Sequence, residues 1–133
     1  MPYLSFHISA DVSQDQSDQV ASALTEITAT ALGKKHELAS VEVNATSAKS
    51  WYIGGKSLAS QSLVTFYLDI KVTEGTNAKN EKSGYIRQVF DAVANIFGPL
   101  APVSYIVIHE VHADAWGYEG HTQEYRYIRG KPL

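Results

Sequence analysis

The chain holds only two tryptophans, Trp51 and Trp116, and they stand 65 residues apart in a sequence that repeats at that spacing. A shift of 65 lays Gly33 on Gly98, Val41 on Ile106, Val43 on Ile108, Ala48 on Ala113 and Gly55 on Gly120. A period of this length is one supersecondary unit written twice, so each copy must find its core with the other. The apolar stripes of the two helical stretches align better at 66, which places about one residue of slip between helix and strand. We therefore read residues 1–133 as one domain, with repeat one over about 2–60 and repeat two over about 61–133.

Within each copy the pattern runs strand, helix, strand. Residues 3–8 alternate, with Leu4, Phe6 and Ile8 against Ser5 and His7, the period of a half-buried strand. Asp11 and Ser13 offer helix caps, Val20, Ala23, Leu24, Ile27 and Ala31 recur at helical spacing, and Gly33 is a stop. Residues 38–45 form the second strand, and 51–53 an extended piece before Gly54-Gly55. In the second copy, 63–72 is a long strand and Glu74-Gly75-Thr76-Asn77 a turn and N-cap. A helix follows, buried through Ile86, Val89, Phe90, Val93, Ile96 and Phe97 and ended by Gly98-Pro99. Residues 103–111 are the next strand, and 125–128 add a short C-terminal one. Two right-handed βαβ units give an α+β fold, a four-stranded mixed sheet with both helices on one face. The other face, expected to carry Leu4, Phe6, Val41 or Tyr105, should not meet water, and oligomerisation is the remedy.

Composition removes several classes of function. A net charge of −3 with scattered Lys and Arg leaves no basic face for nucleic acid or an anionic membrane. No stretch approaches the roughly 20 apolar residues of a membrane span, and no secretory signal opens the chain, so a cytoplasmic protein is expected. The absence of Cys excludes disulfides, thiol catalysis and thiolate metal sites. Gly54-Gly55-Lys56-Ser57 lacks the earlier glycine of a phosphate loop, where Ser50 stands. His109 and His112 are three apart on a strand and point to opposite faces, so no shared metal is expected. Glu110, Asp114 and Glu119, like His7, His36 and His121, read as surface groups.

One reactive group survives this elimination. Met1 precedes Pro2, and an initiator Met is commonly removed before a small residue. The chain then starts with a secondary amine leading straight into a buried strand. An α-amino group has a reference pKa of about 8. Apolar walls and a nearby cation such as Lys34 lower it further, giving a neutral amine fit to act as base or nucleophile.

This duplicated unit with Pro after Met resembles the tautomerase superfamily, which includes 4-oxalocrotonate tautomerase and macrophage migration inhibitory factor. Leu32-Gly33-Lys34-Lys35, Val41-Glu42-Val43, Trp51-Tyr52-Ile53-Gly54-Gly55 and the closing Asp114-Ala115-Trp116-Gly117-Tyr118 with Gly120 and 122–126 carry the likeness. It implies a homotrimer with its sheets facing a central core, no cofactor, and an active site at each Pro2. Pro2 is then the general base that moves a proton between oxygen and carbon of a small enol acid. By the same resemblance Tyr105 stands near Pro2, often from a neighbouring subunit, and Lys34 holds the substrate carboxylate. The amide of Ile53 or Val64 is a further donor, and Trp51, Phe66 and Trp116 are pocket walls. Relatives that dehalogenate or decarboxylate carry arginines at the second-repeat turn. Here 71–77 and the first-repeat turn have none. The carboxylate clamp then falls to Lys34, Lys71 or Arg126, and hydrolytic dehalogenation is disfavoured. The alternatives are a non-enzymatic signalling or binding trimer, a decarboxylase or hydratase of the same superfamily, and a ferredoxin-like dimer in which Pro2 has no role.

Overall fold

The computed structural model describes residues 2–129. Strand β1 (Tyr3–Ile8) is followed by helix α1 (Gln14–Leu32) and strand β2 (Ser40–Ala45), then a hairpin of β3 (Tyr52–Ile53) and β4 (Lys56–Ser57). The second half repeats this order: β5 (Phe66–Thr73), α2 (Lys79–Phe97), β6 (Tyr105–Val111), and a hairpin of β7 (Gly117–Tyr118) and β8 (His121–Thr122). A short helix α3 (Gln123–Arg129) closes it. The four long strands form one mixed sheet in the order β2-β1-β5-β6, with β1 parallel to β2, β5 parallel to β6, and β1 antiparallel to β5.

The duplication is visible bond by bond. Both long helices have 19 residues, and each starts and ends 65 apart from its counterpart. The hairpins match as well: Tyr52 pairs with Ser57 where Gly117 pairs with Thr122. The Leu58 amide donates to the Trp51 carbonyl at 2.9 Å and the Gln123 amide to the Trp116 carbonyl at 3.0 Å. The one-residue slip lies between the first strand and the helix, and not between the helix and the second strand as the apolar stripes imply. Tyr3 opposes Ser40 as Tyr67 opposes Tyr105, so the first strands correspond at 64 and everything after them at 65. The extra residue therefore sits in the turn from β5 to α2.

Alternation decides which sheet face is buried. Leu4, Phe6 and Ile8 of β1 and Phe66, Leu68, Ile70 and Val72 of β5 are fully buried in one core with both helices. Val41 and Val43 pack against that core. Leu4, Phe6 and Val41 therefore lie under the helices, which corrects the expectation that they share the bare face with Tyr105. No described helix covers the other face, which shows Tyr3, Ser5 and His7, Tyr67, Asp69 and Lys71, and Tyr105, Val107 and His109. Tyr105 is 63% exposed there. The charges on this face are paired: Asp69 takes Lys71 at 3.2 Å and His109 at 3.2 Å.

The helices present residues four apart to the sheet and to each other: Val20, Leu24, Thr28 and Leu32 in α1, Tyr85, Val89 and Val93 in α2. Tyr85 takes the place expected for Ile86, which is 41% exposed. Its ring fills the core while its hydroxyl donates to Thr28 Oγ1 at 2.9 Å, and that hydroxyl donates to the Leu24 carbonyl at 2.6 Å. Burial pushes the Tyr85 phenol up to about 12. A tyrosine is admitted to the interior because its polar tip has a partner.

Ser13 caps α1 by accepting from the Gln16 amide at 3.1 Å while the Gln16 side chain accepts from the Ser13 amide. Gly33 ends it at φ +67°, the left-handed turn that a Cβ disfavours. Asn77 is not the cap of α2. Ala78 holds that position, its amide bonded to Glu81 Oε1 at 2.7 Å, and Asn77 Nδ2 instead donates to the Leu32 carbonyl at the end of α1. Residues 125–128, expected as a strand, lie within α3. Thr122 Oγ1 accepts from the Tyr125 amide at 2.9 Å and starts a helical turn. The run of Tyr and Ile has strand propensity, but the cap from Thr122 turns it into a helix.

Candidate active site

Strand register fixes which sequence features meet. Pro2 enters β1 at the sheet end where β6 runs out, because Tyr3 opposes Lys71 and Lys71 opposes His109. The chain leaving β6 turns at residues 113–115 and lays the β7–β8 hairpin over that end. Pro2 is buried. It lines a cavity of about 180 Å³ with Tyr3, Leu38, Ser40, Trp116, Tyr118 and Gln123. Met1, whose removal frees the amine, lies outside the described residues.

The hairpin is held by local chemistry. Trp116 Nε1 donates to Thr73 Oγ1 at 3.2 Å, which ties the hairpin to the end of β5. At Gly117 a Cβ would stand 2.5 Å from the His121 carbonyl oxygen, so the two strands approach too closely for any side chain there. Glu119 and Gly120 turn the hairpin at φ 57° and 81°, both left-handed. Such pairs suit two-residue hairpin turns.

Beside the proline cavity opens a larger cleft of about 890 Å³, and Leu38 and Gln123 line both. Its cations are Lys34 and Lys35, just beyond α1, and Arg126 of α3. Lys34 Nζ donates to Thr76 Oγ1 at 2.8 Å, and Thr76 passes its own proton to the Thr73 carbonyl at 2.6 Å. Burial lowers the Lys34 ammonium from its usual value of 10.5, with Glu81 pulling weakly the other way. Arg126 stacks its guanidinium 4.1 Å above the Tyr118 ring and donates to Gln123 Oε1 at 3.3 Å. Glu74 and Glu124 lie on the same cleft wall, but Glu74 is engaged with His112 at 2.9 Å. The arrangement is a buried proline beside an aromatic wall, followed by a cleft with two oriented cations.

Several residues expected at this site stand elsewhere in the chain. Ile53 lies in the other hairpin, beyond Ala45, which pairs with Ile8 at the opposite sheet end. Trp51 precedes that hairpin, and Phe66 is fully buried core. Lys71 points to the bare face and pairs with Asp69. Tyr105 is level with Tyr67 and His7, five residues along β1 from Pro2. At about 3.3 Å per residue the separation is about 17 Å, so one chain does not bring Tyr105 to its own proline. Among the groups read as surface charge, Glu110 pairs with Lys82 at 3.1 Å, and Asp114 and Glu119 are exposed. Gln123 is a lining residue that belongs to the closing segment of the likeness but has no role in it. Comparing the copies at 65 flags it, because its counterpart is Leu58.

No protein-family model matches this chain, and no curated protein sequence does. The likeness is in three dimensions. The F6 fused 4-OT, an asymmetric trimer, superposes with a TM-score of 0.82 at 16% identity over 97% of this chain and 99% of that one. A macrophage migration inhibitory factor-like protein from Entamoeba histolytica gives 0.76 at 21% identity over 91% and 97%. Leishmania major MIF2 gives 0.75 at 16% over 92% and 97%. The chain has the fold of the tautomerase superfamily. Within that fold it has the fused arrangement, two βαβ units in one chain.

Proposed function

We propose that this chain is a tautomerase that needs no cofactor and uses the Pro2 amine as general base on a small 2-hydroxy-dienoate or 2-oxo acid. The observation that carries the reading is the buried Pro2 in a cavity that shares Leu38 and Gln123 with the cleft of Lys34 and Arg126. With Met1 removed, the neutral amine takes the proton from the hydroxyl on C2 of the enol and returns it to C3, leaving the 2-oxo acid. No group is gained or lost, and one base suffices. Lys34 and Arg126 hold the carboxylate that orients C3 over the nitrogen.

The working unit in this reading is a homotrimer. The solved F6, Q0 and R7 fused 4-OT structures are trimers. Tyr105 and Val107 lie exposed on the bare sheet face, and Tyr105 is too far along the sheet to serve its own proline. A neighbour packed on this face supplies Tyr105 to the next chain's Pro2. No described helix is long and apolar enough to cross a membrane, and the ligand proposed is a small carboxylate and not a lipid or nucleic acid.

Turnover of phenylenolpyruvate by the Met-free protein tests the reading, with Pro2→Ala as control. A related structure, Pt0534, is inactivated by 2-oxo-3-pentynoate. An activated alkyne of this kind accepts a neutral amine by addition across its triple bond, with no leaving group. Intact-mass measurement should show one reagent molecule added at Pro2. An unlabelled amine together with unchanged turnover in Pro2→Ala would sink the proposal.

A further inference from the structure

We infer that the side-chain amide of Gln123 is the hydrogen-bond donor to the oxygen on C2 of the substrate, and that it selects acids carrying oxygen there. The inference rests on the tautomerase reading and deepens it.

Gln123 is 8% exposed, and its Nε2 is buried with no hydrogen-bond partner among the described residues. The orientation of the amide is fixed. Oε1 accepts from Arg126, and a guanidinium only donates, so Nε2 must turn the other way. A buried donor without a partner costs stability, and native interiors rarely tolerate one without a use.

The other copy shows that the fold does not require this amide. Leu58 occupies the same position after the first hairpin, makes the same backbone bond to its tryptophan, and is 1% exposed. An apolar side chain seals that end; a polar one with a free donor stands at the end that holds Pro2. Gln123 lines both the proline cavity and the cation cleft. In the proposed pose the carboxylate lies on Lys34 and Arg126 and C3 at Pro2, so the C2 oxygen falls between the two cavities that Gln123 lines. The charge that grows on this oxygen as the enol proton leaves is what an amide donor stabilises.

The test compares phenylpyruvate with 3-phenylpropionate, which lacks only the C2 oxygen, by calorimetry in a Pro2→Ala background where turnover does not interfere. With Gln123 present, phenylpyruvate should bind about tenfold tighter, the size of one satisfied hydrogen bond. In Gln123→Leu the two acids should bind alike, while the melting temperature rises by about 3 °C as the unpartnered amide is removed. With Pro2 intact, Gln123→Leu should lower kcat for phenylenolpyruvate about 100-fold and move KM far less. Gln123→Glu, which keeps the shape and the Arg126 bond, covers the case in which the leucine variant fails to fold; it should show the same loss of preference. A preference for phenylpyruvate that persists in either folded variant overturns the assignment. Unchanged turnover in Pro2→Ala instead overturns the tautomerase reading, whatever Gln123 does.

Discussion

At one end of the sheet, β5 begins with Phe66, the first hairpin turns on Gly54-Gly55, and Leu58 closes it. At the other, Pro2 leads into β1, the second hairpin turns on Glu119-Gly120, and Gln123 closes it. The two hairpin backbones correspond residue for residue, down to the amide that donates to each tryptophan carbonyl. The first end is dry: Phe66 and Leu58 are both buried. The second has the same hairpin but leaves a cavity over Pro2 and a cleft lined by Lys34 and Arg126. Two copies of one scaffold thus separate what folding needs from what chemistry needs. Any feature common to both ends is structural, and any feature confined to the second is a candidate for function.

Removing the group that most distinguishes the ends gives the largest effect. Pro2→Ala should lower kcat for phenylenolpyruvate by roughly 10²–10⁴-fold, the usual contribution of a positioned base, while the circular dichroism spectrum stays unchanged. Gly117→Ala comes next. Its new Cβ meets the His121 carbonyl, so the strands of the second hairpin must part and carry Trp116 away from Pro2. A loss of about 1–3 kcal/mol in denaturant unfolding should accompany the fall in kcat/KM. The counterpart Tyr52 is 61% exposed, and Tyr52→Gly should leave turnover as it was.

The pH profile of kcat/KM should be bell-shaped. Its acid limb reports the Pro2 amine, at or below about 8. Its alkaline limb reports Lys34, which burial brings below 10.5. Activity is lost as pH rises through that lowered value, because the neutral amine no longer holds a carboxylate. The sign for folding is opposite: the unfolded chain keeps this proton to higher pH than the folded one, so the Lys34 contribution to stability improves as pH climbs toward 10.5. Lys34→Met should raise KM and remove the alkaline limb, checked by steady-state kinetics across pH. The smallest effect concerns the turns. Glu119 holds a left-handed φ of 57° where Gly54 holds 59°. Glu119→Gly makes the two turns alike and should add about 1 kcal/mol or less to stability, read as a small rise in melting temperature without change in kcat.

The repeat and the alternation of Leu4, Phe6 and Ile8 were enough to read the four long strands, the two long helices and their order. Finer assignments failed where a neighbour in space outweighed the local pattern. Tyr85 displaced Ile86 from the core because Thr28, far away in sequence, accepts its hydroxyl. The tail folds as α3 because Thr122 caps it. At the site, Pro2, Lys34, Arg126 and Trp116 were legible as residue types near segment ends, and register brings them to one end of the sheet. Ile53, Lys71 and Tyr105 came from the resemblance, and within one chain strand direction places them at the far end or on the bare face. Gln123 falls in the closing segment of the likeness but had no role there; its mismatch with Leu58 marks it.

The place of Phe66 inside the chain has a further consequence. A residue that follows others in a continuous polypeptide has a peptide nitrogen, planar and without basicity, whatever its side chain. Joining the two units end to end therefore silenced the second as a source of a free amine. Proline there would bring no reactive nitrogen, so nothing chemical opposes an aromatic ring that packs better. In the proposed reading the covalent link therefore leaves one basic nitrogen for every two structural units.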